Sequence, residues 1–193
     1  MYELPTSIEL ETGVFNIRNK GDFRLILDVF NAMNDTTLDT KERFLASLII
    51  FFEGINDIED VYKLGDLQIV NEKMNWFFNC GQTEVGMQSK YKLIDWEKDS
   101  PLISSAINNV AKTEIRSLPY LHWWTFMGYY LAIGESPLAT IVNIRHKLAE
   151  GTKLEKYERK FQLENPQYFT GDYRNNSDKE LEDWFLNEVW NKK

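Results

Sequence analysis

The chain has 193 residues, of which 43% are hydrophobic and 14% aromatic, so it is long enough to form one domain with a sizeable core. Its net charge of −8 argues against a surface that binds nucleic acid or an anionic membrane, because both need clustered Lys and Arg. The single cysteine, Cys80, excludes an internal disulfide. Because the sequence also shows no recognisable export signal or membrane span, we expect a protein of the reducing cytosol.

A short β-hairpin is predicted at the start of the chain, within residues 1–20. Apolar residues alternate in this stretch, with Ile8 and Leu10 on one face, and Thr12-Gly13 is predicted to form the turn. Two strands alone are marginally stable. We therefore expect the hairpin to pack on helices or to join a neighbour's sheet.

Helical spacing of apolar residues replaces this alternation from Asp22 onward. N-cap residues or prolines mark the helix starts, and Gly or Asn marks most of the ends. The predicted starts are Asp22, Asp39, Asp66, Asp99 or Ser100, Pro119 and Ser136, and the predicted ends are Asn34, Gly54, Gly81, Gly134 and Gly151. A charged helix follows, with a thin apolar stripe of Leu154, Tyr157 and Phe161.

The most aromatic stretch of the chain is Leu118–Gly134, which reads LPYLHWWTFMGYYLAIG. It is apolar on nearly every side, so we expect a helix that is buried on nearly every side, with Pro119 in its first turn. It is too short and too rich in Tyr, Trp and His to span a membrane. We interpret it as the central helix of the fold, or as a helix shared between the fold and a partner.

The last part of the chain, residues 166–193, is predicted to be a linker followed by an amphipathic helix. A capping box at Ser177 to Glu180 precedes a Trp-rich apolar face. The whole pattern predicts a mainly α protein, with a single helical domain over residues 1–165 that includes the N-terminal β-hairpin. The C-terminal amphipathic helix either folds back on that domain or binds another molecule.

No catalytic or phosphate-binding motif occurs in the sequence. His122 and His146 fall on successive predicted helices and could form a metal site with Glu135, but a buried neutral histidine that donates to a backbone carbonyl is the more common arrangement. Cys80 has no histidine near it in sequence, so we interpret it as a half-buried small residue. We predict a protein that is not an enzyme, with no cofactor and no metal.

Two further groups of charged residues are expected to serve the helices themselves. Asp95 and Asp99 lie at a helix start, where N-cap and helix-dipole roles explain acidic residues without an ion. Arg145 lies near the end of its helix, where we expect it to pair with C-terminal carbonyl groups or with a neighbouring acid.

Several stretches together resemble one known protein family. They are LPTSIEL with the following FNIRNKGDFR, the acidic block DWEKDSPLISSAI, and the block LPYLHWWTFMGYYLAIGESPLATIVNIR. The combination of L-H-W-W-x-F with the acidic block about 25 residues before it is fairly specific. It resembles the bacteriophage family called gene product fifteen, which occurs in siphophages and prophages of Gram-positive bacteria. The resemblance covers roughly residues 1–161.

The resemblance implies a phage tail-region protein that is encoded beside the tape-measure gene, in the position of tail assembly chaperones. It implies a chaperone that binds the tape-measure protein, tail tube subunits or both during tail assembly, in the cytoplasm of the bacterial host. The alternative is a structural or connector component of the tail. The family has no established enzymatic activity or cofactor. Self-association stays open, and neither nucleic acid nor a membrane is expected as a partner.

Candidate partner-binding residues follow from the energetic weight of exposed aromatic and large apolar side chains at interfaces. In the aromatic stretch they are Trp123, Trp124, Tyr129 and Tyr130, for which packing in the core is the favoured alternative. In the C-terminal helix they are Leu181, Trp184, Phe185 and Trp190, for which the two interpretations are nearly balanced.

Overall fold

The computed structural model describes residues 3–82, 91–171 and 173. These residues are mainly α-helical and begin with a two-stranded antiparallel sheet, which confirms the predicted fold class. The predicted C-terminal helix, with Leu181, Trp184, Phe185 and Trp190, lies outside the described residues.

Along the chain, the β-hairpin comes first and the helices follow it. The strands are β1 (Ser7–Leu10) and β2 (Gly13–Asn16), and the α-helices are α1 (Phe23–Met33), α2 (Thr40–Phe51), α3 (Ile58–Val61), α4 (Leu67–Phe78), α5 (Ser100–Ala111), α6 (Trp123–Leu131), α7 (Pro137–Glu150) and α8 (Lys156–Glu164). Short 3-10 turns occur at Arg18–Gly21, Tyr62–Leu64, Ile115–Ser117 and Pro166–Tyr168.

The described residues fall into two compact units. The first contains residues 3–82 and Pro119–Met127, and the second contains residues 91–118, 128–171 and 173. The division falls inside α6, between Met127 and Gly128. The boundary that the sequence suggests at residue 165 stays a prediction.

The hairpin packs on helices of the first unit, as expected. Ser7 pairs with Asn16 and Leu10 with Gly13, so the turn residues lie one position earlier than predicted. Ile8 and Leu10 are buried, and β1 packs against α4. The small sheet therefore adds its apolar face to a helical core instead of standing alone.

Most predicted helix starts carry the expected side-chain caps. The carboxylates of Asp22, Asp39 and Asp66 and the hydroxyl of Ser136 each accept a backbone N–H of the first turn. Asp39 and Glu42 form a complete capping box. Each cap stabilises its helix by about 1 kcal/mol, which is why these starts could be located from local sequence.

The core of the first unit is aromatic. Neighbouring rings meet edge to face, for example Phe51 with Phe77 and with Phe78, at centroid distances of 5.5 Å. Phe23 and Trp123 instead stack on Phe126, at 4.7 Å and 5.4 Å. Such pairs add about 0.5–1.5 kcal/mol each to the burial of their area.

The aromatic helix is shorter than predicted. It begins at Trp123, not at Pro119, because the backbone of Leu121 pairs with the start of α1 instead of forming helical hydrogen bonds: its N–H donates to the Asp22 carboxylate and its carbonyl accepts from Phe23. It ends at Leu131, whose side chain is 72% exposed. The expectation of burial on nearly every side is therefore wrong for the last turn of α6.

The predicted apolar stripe of the charged helix is wrong at Tyr157, whereas Leu154 and Phe161 are half-buried. In α8, Tyr157 is 65% exposed, whereas Glu158 is fully buried. Glu158 is stable there because Lys147 and Asn143 of α7 donate hydrogen bonds to its carboxylate. A charged partner from the neighbouring helix thus determines which face of α8 points inward.

Candidate functional site

The aromatic segment is joined to the start of α1 through the carboxylate of Asp22. This carboxylate accepts the backbone N–H of Leu121 at 2.8 Å, in addition to the backbone N–H and the guanidinium of Arg24 at 3.0 Å. The backbone N–H of Phe23 donates to the carbonyl of Leu121 at 2.9 Å. Asp22 and His122 thereby form an isolated antiparallel bridge, which places α6 beside α1 within the first unit.

His122 immediately precedes α6, and both of its ring nitrogens are hydrogen-bonded. Nδ1 lies 3.0 Å from the backbone nitrogen of Trp124, and Nε2 lies 2.9 Å from the carbonyl oxygen of Pro5. A backbone N–H can only donate and a carbonyl can only accept, so Nδ1 is unprotonated and Nε2 carries the hydrogen. The ring is therefore neutral. Burial lowers the pKa of His122, against the opposing effects of the Pro5 carbonyl and the Asp22 charge.

This geometry makes His122 the N-cap of α6. Its ring accepts the second backbone N–H of the helix, and its carbonyl accepts the first helical hydrogen bond, from Phe126 at 3.0 Å. Donation to a backbone carbonyl was the alternative to a metal site in the sequence interpretation. Sequence reasoning missed the capping role because histidine is not a usual N-cap residue.

The two tryptophans of α6 bind the end of α4. The indole N–H of Trp123 donates to the carbonyl of Phe78, and that of Trp124 donates to the carbonyl of Phe77, both at 2.9 Å. Trp123 is 1% exposed, so its ring belongs to the core, whereas Trp124 is half-buried. A side chain at Gly81 would meet the Trp124 ring at 2.9 Å. The Trp123 indole thus pairs a carbonyl at the end of a helix, and the Trp124 indole is a further donor to the Phe77 carbonyl, which also accepts the backbone N–H of Cys80 at 3.1 Å.

The two tyrosines of α6 lie in the second unit, and both are half-buried. The ring of Tyr130 lies against Trp96, with centroids 5.3 Å apart. Burial raises the pKa of Tyr130, and the charge of Asp99 acts in the same direction. A role for Trp124, Tyr129 or Tyr130 in partner binding stays a prediction.

A buried ion pair joins α5 and α7 of the second unit. The Asp99 carboxylate accepts from both terminal nitrogens of Arg145, at 2.5 and 2.9 Å, and from the backbone N–H of Asp95. Arg145 also donates to the carbonyls of Leu93 and Tyr168. Burial disfavours the charged form of Arg145, yet the hydrogen bond and the charge of Asp99 outweigh it and raise its pKa.

This ion pair shows that the N-cap role expected for the Asp99 side chain is wrong, and it identifies which of the two expected roles Arg145 has. Asp99 occupies the N-cap position of α5, but its side chain makes no cap hydrogen bond. Arg145 pairs with an acid, which was one of its two expected roles. Sequence spacing could not identify the partners because they lie 46 residues apart.

A second arginine, Arg18, holds the end of α2 in the first unit. Its guanidinium donates to the carbonyls of four residues at 3.0–3.3 Å: Ile49, Ile50, Phe52 and Ile55. A cation at a helix C-terminus also interacts favourably with the helix dipole. Sequence reasoning missed this role, although Arg18 lies in the block FNIRNKGDFR that carries the family resemblance.

In the described part of the chain, the two histidines do not come together with a third metal-ligating side chain. Within residues 3–82, 91–171 and 173, no three His, Cys, Asp or Glu side chains are arranged to hold an ion. His146 instead lies 3.5 Å from a carboxylate oxygen of Glu150. Burial raises the pKa of the Cys80 thiol to about 11, which favours the protonated form over the nucleophilic thiolate. No helix in the described part of the chain is long and apolar enough to cross a bilayer.

Large apolar side chains remain exposed in both units. In the first unit they include Val14 at 67% and Tyr62 at 77%. In the second they are Leu131 at 72%, Tyr157 at 65% and Leu163 at 75%. These side chains are among the described apolar groups that a partner can reach.

The protein is mainly helical, and the hydrogen bonds and ion pairs described above join its helices to one another. Residues of the motifs that resemble a phage family make many of these contacts. A model of the bacteriophage Gp15 protein family matches residues 1–167. The chain belongs to this family and is therefore a phage protein. No curated protein and no solved structure gave a significant match.

Proposed function

We propose that this chain is a non-enzymatic tail assembly chaperone. It binds the tape-measure protein, tail tube subunits or both in the cytoplasm of the bacterial host, and it releases them as the tail forms. Membership in a bacteriophage family supports this proposal. The observation that carries it furthest is the set of large apolar side chains exposed on a strongly acidic protein.

A tape-measure protein is long and helical, with apolar stretches that must stay soluble until the tube forms around them. A chaperone for such a chain needs apolar groups that contact helices and a net charge that keeps the complex in solution. Leu131, Tyr157 and Leu163 supply the apolar groups, and the net charge of −8 supplies the repulsion. Because these groups are few, binding is expected to be weak enough for displacement.

The position of Trp123 directs the search for the binding surface away from the aromatic core. This ring is buried and its N–H is hydrogen-bonded inside the first unit. Removing it would damage the fold before it could inform on binding. Variants that test binding therefore belong at exposed positions, such as Leu131 and Leu163 of the second unit.

Co-expression with the tape-measure protein of the same phage tests the proposal. We expect the chain to raise the soluble fraction of the tape-measure protein and to co-purify with it. The double variant Leu131→Ser with Leu163→Ser should do so less well at unchanged thermal stability. A tape-measure protein that is equally insoluble with and without the chain would reject the proposal.

Mass spectrometry of purified mature particles separates a chaperone from a tail component. A chaperone that is released should be absent from the particle. Detection of this chain at a copy number comparable to that of known tail proteins would replace the proposal with a structural or connector role.

A further inference from the structure

Helix α8 has one side fixed to the second unit. The buried carboxylate of Glu158 accepts two hydrogen bonds from Lys147, at 2.7 and 2.9 Å, and one from Asn143 at 3.0 Å. The hydrogen bond from Lys147 lowers the pKa of Glu158, so the carboxylate stays charged and paired over the physiological range. This anchor fixes which residues of α8 face outward.

The opposite side of α8 is exposed and basic. Lys156, Arg159, Lys160 and Leu163 follow one another at helical spacing and share one face. Together with Lys153, Leu154 and Glu155 they line an open groove of about 690 Å³. We call this groove the α8 face.

The charge of the α8 face is opposite to that of the whole chain. The groove is lined by four cationic side chains and by a single acid, Glu155, although the chain carries a net charge of −8. The nearby Glu164 lies 3.7 Å from Lys160, with both side chains largely exposed, so this pair neutralises little. Positive charge is thus concentrated on a short stretch of an otherwise acidic protein.

Apolar groups accompany these charges. Leu163 is 75% exposed, and Leu154 lines the same groove. A face that combines cations with exposed leucines fits a segment that has carboxylates around one or two apolar side chains. A nucleic acid offers no partner for the leucines, and its phosphates would be repelled by the acidic remainder of the chain.

We propose that the α8 face binds an acidic amphipathic segment of a partner protein. If the chaperone function proposed above is correct, that segment belongs to the tape-measure protein. Charge attraction then accelerates association and selects the segment, while Leu154 and Leu163 contact its apolar side chains. Because the cations are exposed, the complex should weaken as salt is added.

Overlapping peptides from all proteins encoded in the tail gene cluster, including residues 174–193 of this chain, test the inference with the full-length protein. The test compares the wild type with Lys156→Glu/Lys160→Glu and with the matched control Lys41→Glu/Lys73→Glu. The control changes two exposed lysines of the first unit by the same charge. We expect acidic amphipathic peptides to bind, with affinity reduced about tenfold or more only by the α8 variant.

The outcomes separate this inference from the proposed function. If tape-measure peptides bind equally to all three proteins, the α8 face is not the site, although the chaperone function stands. If an acidic segment of another protein, and none of the tape-measure protein, binds through Lys156 and Lys160, the inference stands and the proposed tape-measure partner falls. The inference is overturned if no acidic segment binds the wild type, or if these lysines bind only a DNA duplex.

Discussion

The part of the aromatic segment that belongs to the first unit, Pro119–Met127, and helix α8 of the second unit use their side chains in opposite ways. The aromatic segment places Trp123 in the core and its indole on a helix-end carbonyl. Helix α8 buries a glutamate and exposes Tyr157 and Leu163. A Trp-rich stretch therefore need not be a binding surface, and a highly charged helix need not be only a solubilising one.

The largest effect on stability is expected at the aromatic segment. Trp123→Ala should cost about 3–5 kcal/mol, because it leaves a cavity and an unpaired carbonyl at Phe78. Leu163→Ala, at a side chain that is 75% exposed, should change stability by no more than about 0.5 kcal/mol. Urea denaturation followed by circular dichroism measures both. If both substitutions lowered the free energy of unfolding equally, the proposed difference between a buried Trp123 and an exposed Leu163 would be wrong.

A similar loss is expected at the buried ion pair. Arg145→Met should cost about 3–5 kcal/mol because Asp99 remains buried without its counter-charge. Adding Asp99→Leu to Arg145→Met should recover part of the loss, because the second change removes the unpaired charge. A double variant that is no more stable than the single variant would contradict this account, because it would show that the unpaired Asp99 charge does not cause the loss.

A smaller, pH-dependent effect is expected at His122. Its pKa is lowered in the folded protein below the ordinary value of 6.5, so the unfolded chain takes up the proton first as the pH falls. Stability that is present above pH 6.5 should therefore decrease below it, by at most about 1.4 kcal/mol per pH unit.

The second histidine provides the matched control for this effect. His122→Asn should flatten the decrease in stability between about pH 7 and 5.5, whereas His146→Gln, at an exposed position, should keep it. Denaturation curves at several pH values measure the slopes. A slope that survives His122→Asn and vanishes with His146→Gln would contradict the neutral, capping role of His122.

Features that depend on nearby residues could be predicted from the sequence. The hairpin follows from alternation around Gly13, and the cap at Asp39 follows from its distance to Glu42. Both interactions involve residues within one turn or one hairpin. Local spacing therefore contains the information that determines them.

Features that depend on distant partners could not be predicted in this way. The acid that pairs with Arg145 lies 46 residues away, and the lysine that allows Glu158 to be buried lies 11 residues away on another helix. The predicted start of α6 was wrong because the carboxylate of Asp22, about 100 positions earlier, accepts the backbone N–H of Leu121 and holds the backbone there in a non-helical conformation. The candidate residues of the C-terminal helix lie outside the described part of the chain.

Co-expression of the tape-measure protein with three versions of this chain tests the central proposal most directly. The versions are the wild type, Lys156→Glu/Lys160→Glu and Lys41→Glu/Lys73→Glu, and the measured quantity is the soluble tape-measure protein that co-purifies. We predict that the wild type and the control retain it and that the α8 variant retains about tenfold less, at unchanged melting temperature. No co-purification with the wild type would contradict the chaperone function, and equal recovery with all three would contradict the role of the α8 face.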